Sequence, residues 1–167
     1  MNDLKKLSSL NPKEKELLFS KCCGAKEWVA GMMELKTIKT KKEILDEAEK
    51  ILYSLDPKDW LEAFSHHPKI GDINSIREKF ASTKKMAESE QSGVNAADNE
   101  TLIELAKLNQ VYEKKFGYIF IVCATGKSAK EMLAIIKKRV SNDSETEIKI
   151  AMKEQNKITK LRLEKLL

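Results

Sequence analysis

Histidine is scarce in this chain. There are two in 167 residues, and both fall in the stretch Ser65-His66-His67-Pro68-Lys69-Ile70-Gly71-Asp72. No other side chain here has an unperturbed pKa near the histidine value of about 6.5, so proton transfer near neutral pH is confined to this stretch. Two histidines and no Cys-x-x-C spacing leave too few ligands for a zinc site, which needs three or four converging groups. Cys22, Cys23 and Cys123 are odd in number and two are adjacent, which argues against a disulfide framework and for a reducing compartment. Aromatic residues make up only 6% of the chain, and its basic residues alternate with acidic ones, as in Lys41-Lys42-Glu43 and from Glu145 to Lys149. Despite a net charge of +5, the basic stripe with aromatic platforms used by nucleic-acid binders is missing. No apolar run approaches the roughly 20 residues that span a bilayer. Met1-Asn2-Asp3-Leu4-Lys5-Lys6 leads into no signal-peptide core, and Glu164-Lys165-Leu166-Leu167 is not a Ser-Lys-Leu address. The expectation is a cytoplasmic protein, most simply bacterial, with neither membrane nor nucleic acid as partner.

What remains is an ordinary globular composition, 41% hydrophobic and 34% charged, in a chain long enough to bury a core without staples. One domain over residues 1–167 is expected. Asn11-Pro12-Lys13-Glu14 reads as an N-cap followed by proline at the first helical position, with Leu17, Leu18 and Phe19 forming an apolar face before Gly24. A second helical piece carries Trp28, Val29, Met32, Met33 and Leu35. A third runs from about Lys42, with Ile44, Leu45, Ala48, Ile51 and Leu52 at helical spacing. Asp56-Pro57 opens a fourth, whose face of Trp60, Leu61 and Phe64 delivers the chain into His66-His67-Pro68. Ile73, Ile76 and Phe80 mark a short helix before a polar run that reads as a solvated face or loop. From Asp98, Leu102, Leu105, Leu108 and Tyr112 mark a long amphipathic helix ending near Gly117. Ser128 to Val140 is another, with Glu131 completing a capping box, and the last helix starts at about Ser144.

The segment Tyr118-Ile119-Phe120-Ile121-Val122-Cys123-Ala124 has the composition of a buried strand. No second comparable run exists to pair with it, and a lone strand leaves backbone groups unpaired, so a buried helix or extended segment fits an all-α chain better. Pro68 crowds the backbone of His67 out of the helical region and Gly71 permits a tight turn, which places His67 on a loop just beyond a helix. By default a histidine at a helix end caps the dipole, polar residues such as Glu90 and Gln91 are surface, Arg162 is a surface charge, and Cys123 is a small core residue.

Four motifs in order change that default: His66 to Asp72, then Glu90-Gln91, then Phe116 to Lys127, then Lys157-Ile158-Thr159-Lys160-Leu161-Arg162-Leu163. Together they resemble the OHCU decarboxylase family, the 2-oxo-4-hydroxy-4-carboxy-5-ureidoimidazoline decarboxylases of urate breakdown, over essentially the whole chain. The resemblance implies an all-α, single-domain helical bundle, commonly dimeric and independent of metal or organic cofactor, that converts an anionic small molecule, OHCU, to (S)-allantoin and carbon dioxide. It further implies His67 as catalytic proton donor and Pro68 as a substrate contact. Ala87, Glu88, Ser89, Glu90 and Gln91 match the substrate-binding stretch, with Glu90 as the catalytic carboxylate. Ile121, Val122, Cys123, Ala124 and Thr125 match a segment whose main chain touches substrate, and Arg162 matches an arginine near the anion. The family also favours helix for the ambiguous apolar segment. Many relatives carry Trp-Ser where this chain has Met86-Ala87, which removes one hydroxyl from substrate recognition.

The chemistry accords with these residue types. Decarboxylation needs a place for an electron pair and then a proton; the conjugated ring of OHCU supplies the first, so a pyridoxal or thiamine cofactor is dispensable. A general acid with a pKa near the working pH supplies the second, and His67 fits. Glu90 either holds the His67 tautomer or takes the proton of the substrate hydroxyl. Main-chain amides of Ile121 to Thr125 suit a developing oxyanion, and the fork of Arg162 suits a carboxylate. A different class of reading is a helical interaction module whose basic surface meets an acidic partner or nucleic acid, and a third is decarboxylation of a related ureido acid. Neither explains why the four motifs occur together.

Overall fold

The computed structural model describes residues 7–69, 73–78 and 96–167, and among them the regular structure is helical, without strands. The long helices are α1 (Pro12–Cys22), α2 (Lys26–Glu34), α3 (Lys41–Ser54), α4 (Pro57–Ser65), α5 (Ala96–Phe116), α6 (Ala129–Arg139) and α7 (Ser144–Leu166). Residues 73–78 add a short helical turn around buried Ile76. The starts follow local chemistry. Asn11 caps α1, Thr40 caps α3 and Ser128 caps α6, each in a reciprocal capping box with the glutamate three residues on. The second helix stops at Glu34, one residue short of the expected Leu35, whose backbone turns extended at ψ 109°.

The chain divides into two compact units. The first comprises residues through His67, Ile121–Cys123 and Ile148–Leu167. Its core holds Trp28, Met32, Ile44, Leu52, Phe64 and Leu163, all essentially without solvent contact. Burying each such side chain stabilises by about 1.5–3 kcal/mol. Both tryptophans also satisfy their polar ends on the same helix: the Trp28 indole N–H donates to the Ala48 carbonyl and that of Trp60 to the Leu52 carbonyl, each at 2.9 Å. These bonds tie α2 and the start of α4 to α3.

The second unit comprises Pro68–Phe120 and Ala124–Glu147. Here α5 packs on α6, with Leu105, Tyr112, Met132 and Ile136 buried. The Lys115 ammonium donates to the carbonyls of Val140 and Asn142, both at 2.7 Å, and satisfies the C-terminal end of α6.

Candidate active site

His67 is placed by the way α4 stops. His66 still has helical dihedrals (φ −82°, ψ −5°), and the His67 N–H donates to the Phe64 carbonyl at 3.2 Å, one tight turn before Pro68 forbids continuation. His66 packs against Gly24: a Cβ built there would stand 2.3 Å from His66 Cγ and 2.6 Å from its Cβ. His66 is exposed at the helix end, with the base of its ring lying over Gly24. His67 is half-buried, and its Nε2 lies 2.6 Å from Oε1 of Gln155.

Gln155 belongs to a polar face of α7. Gln155, Thr159 and Arg162 recur at i, i+4 and i+7, one above the other on the helix. Gln155 and Thr159 are each only 1% exposed. The Gln155 Nε2 donates to Thr159 Oγ1 at 3.1 Å. One turn further, Arg162 Nη1 donates to the carbonyls of Cys22 (3.2 Å) and Lys21 (3.4 Å). A guanidinium at the C-terminal end of α1 opposes the negative end of that helix. Burial pushes the Cys22 thiol up to about 11, against the pull of Arg162. Burial also raises Cys23, against the pull of Ala25 and Thr159. Both thiols therefore stay protonated and are not nucleophiles.

The apolar segment corrects the helix that the family resemblance favoured. Residues 119–124 form neither helix nor paired strand, and run between Gly117 (φ +80°) and Gly126 (φ +74°), two left-handed positions that suit glycine. The resemblance favoured helix here; β-branched and aromatic content between two such turns wins over it. Ile121 and Cys123 are buried. The Cys123 N–H donates to Glu154 Oε2 at 2.8 Å, so this amide, one of those assigned to a developing oxyanion, already holds a carboxylate. Among the described residues no three His, Cys, Asp or Glu side chains gather as a metal site.

A model of the OHCU decarboxylase family matches residues 8–164. The chain belongs to the OHCU decarboxylase family. It is 42% identical over 149 residues to the uric acid degradation bifunctional protein TTL of Arabidopsis thaliana, covering 87% of this chain and 45% of that one. It is 27% identical over 167 residues to the uric acid degradation bifunctional protein of a Bacillus species, covering 99% of this chain and 32% of that protein. The chain thus spans less than half the length of these two relatives. A crystal structure of OHCU decarboxylase in the presence of (S)-allantoin matches with a TM-score of 0.70 and 38% identity, over 89% of this chain and 95% of that one.

Of the residues matched to family motifs, the first unit holds His67, Ile121, Val122, Cys123 and Arg162, with His67, Cys123 and Arg162 all tied to α7 or carried on it. Pro68, Ala124 and Thr125 belong to the second unit, and Thr125 is exposed. Ala87, Glu88, Ser89, Glu90 and Gln91 lie outside the described residues, as do Ile70, Gly71 and Asp72. Sequence reasoning missed Gln155, Thr159 and Glu154. Their signal was there: two uncharged polar residues four apart, on the stripe of α7 that continues into buried Leu163 and half-buried Arg162.

Proposed function

We propose that this chain decarboxylates OHCU to (S)-allantoin and carbon dioxide in urate breakdown, without a cofactor, with His67 as the proton donor. Family membership supports the reaction. The observation that supports the donor is the 2.6 Å bond from His67 to buried Gln155, which holds an imidazole at a helix end in one orientation. Loss of carbon dioxide leaves an electron pair that spreads into the conjugated ring. His67 delivers a proton to one face of the ring carbon that becomes the stereocentre, which makes one enantiomer. Arg162 spends Nη1 on two carbonyls and has further donors on Nη2 and Nε for the substrate carboxylate. Glu90 is the carboxylate that orients His67 or takes the substrate hydroxyl proton. Pro68, Ala87 to Gln91 and the main chain of Ile121 to Thr125 complete the contacts, with the Cys123 amide engaged by Glu154. A homodimer and a cytoplasmic location belong to the same proposal; sedimentation of the purified chain tests the first.

The test is OHCU generated fresh from urate and followed by circular dichroism with wild type and His67→Ala. Rapid appearance of one allantoin enantiomer with wild type alone is expected. Decay no faster than buffer, giving racemic product with both proteins, would overturn the proposal.

A further inference from the structure

Residues 121–123 belong to the first unit but to none of its helices, so their place depends on what their side chains and amides meet. The side chains of Ile121 and Cys123 are buried. A charge-assisted hydrogen bond ties this run to α7: the Cys123 N–H donates to Glu154 Oε2 at 2.8 Å. The other oxygen, Oε1, accepts from the Lys157 ammonium one turn further along the helix. The Glu154 side chain is only 13% exposed, and its carboxylate is held by an amide at one end and a cation at the other. An amide carries a single hydrogen. To serve a developing oxyanion, the Cys123 N–H would have to leave Glu154 and bring a second negative charge beside the carboxylate, where like charges repel.

We propose that Glu154 is a positioning residue: its carboxylate takes the Cys123 N–H, anchors the substrate-contacting run to α7, and removes that amide from the donors that meet the oxyanion. This rests on the reading of Ile121 to Thr125 as a segment whose main chain touches substrate. Anchoring depends on reach more than on charge. Glutamine in place of Glu154 still offers an oxygen at the same distance from the helix. Aspartate keeps the charge but is one carbon–carbon bond, about 1.5 Å, too short. A general base, or a carboxylate needed only as the partner of Lys157, would rank the two substitutions the other way.

Chain labelled with ¹⁵N-cysteine reads the anchor directly, with the Cys123 amide assigned by its loss in Cys123→Ser. Its hydrogen exchange should be slow in wild type and Glu154→Gln, and about tenfold faster in Glu154→Asp and Glu154→Leu. Turnover of OHCU should follow the same order. In Glu154→Asp and Glu154→Leu kcat should fall about tenfold with KM within about threefold, less than the roughly 10²–10³ lost with a whole oxyanion donor, while Glu154→Gln should keep kcat within about threefold of wild type. Glu154→Asp also serves if Glu154→Leu does not fold. Unchanged Cys123 exchange in Glu154→Asp and Glu154→Leu overturns the inference, and so does an active Glu154→Asp beside an inactive Glu154→Gln. A wild type without activity on OHCU, whose Cys123 exchange still follows this order, sinks the decarboxylase reading and leaves the anchor standing.

Discussion

Each of the two compact units buries a polar cluster, and the clusters differ in charge. In the second unit Glu147, 0% exposed, accepts from Arg139 through Nε at 2.8 Å and Nη2 at 2.6 Å, from Asn142 Nδ2 at 2.8 Å, and from the Tyr112 hydroxyl. Arg139 also lies over the ring of Phe120, 4.7 Å from its centroid. Burial and the Glu147 carboxylate drive the Tyr112 hydroxyl far above its ordinary pKa, so it stays protonated and donates. Arg139 and Tyr112 converge on Oε1 and Asn142 on Oε2, so both carboxylate oxygens are held by fixed partners. In the first unit the Gln155 and Thr159 side chains carry no charge, and the Gln155 amide meets the imidazole of His67. The charged cluster is closed within the second unit; the neutral one ends on the histidine proposed as proton donor.

Breaking each cluster should give opposite phenotypes. His67→Ala should lower kcat by about 10² to 10⁴, with a denaturation midpoint near that of wild type, because a half-buried loop side chain contributes little to the core. Glu147→Gln should do the reverse. It leaves Arg139 buried without its counter-charge and should destabilise by about 3–5 kcal/mol, while the turnover of molecules still folded at low temperature stays close to wild type. Urea unfolding and the OHCU assay on both variants check this; a stable, inactive Glu147→Gln would erase the contrast. The double variant Arg139→Met/Glu147→Leu sharpens it. With both charges gone the desolvation penalty goes too, so most of the lost stability should return.

The same contrast explains what could be read from the sequence. Helix starts were legible because caps are local: Asn11 with Glu14, and Ser128 with Glu131, need no information from elsewhere in the chain. His67 was legible because Pro68 restrains it locally. Partners were not. Gln155 lies 88 residues from His67, and the Cys123 amide meets Glu154 31 residues on, pairings that depend on how α7 runs through the first unit. Arg139, in a run of three basic residues at the end of α6, reads as a solvated charge; only tertiary packing turns it inward onto Glu147. The apolar segment misled for the opposite reason: its composition is that of a strand and its surroundings are helical, while two left-handed glycines decide it.

Gly24 couples stability to the His67 cluster and should show an intermediate effect. A methyl group there meets Cγ and Cβ of His66, atoms close to the backbone that cannot swing away, so the end of α4 must shift. Gly24→Ala should cost about 1–3 kcal/mol and, because His67 is the next residue, lower kcat several-fold as well. Unchanged kcat in a destabilised Gly24→Ala would show that the position of α4 does not control His67.

The smallest effect belongs to an exposed charge, and its sign follows from the direction of the shift. Asp143 accepts from the Thr146 N–H at 2.8 Å at the start of α7, and that bond holds its carboxyl below the ordinary carboxylate range. A depressed folded-state pKa means that the charged form contributes stability above the unfolded value of about 3.9 and loses it as pH falls through the folded value. Asparagine caps a helix about as well as aspartate but brings no charge to the positive end of the helix dipole. Asp143→Asn should therefore melt slightly below wild type at pH 7, and the two melting curves should converge as pH is lowered toward 2. A difference that persists undiminished at acid pH would mean that Asp143 acts through packing and not through its charge.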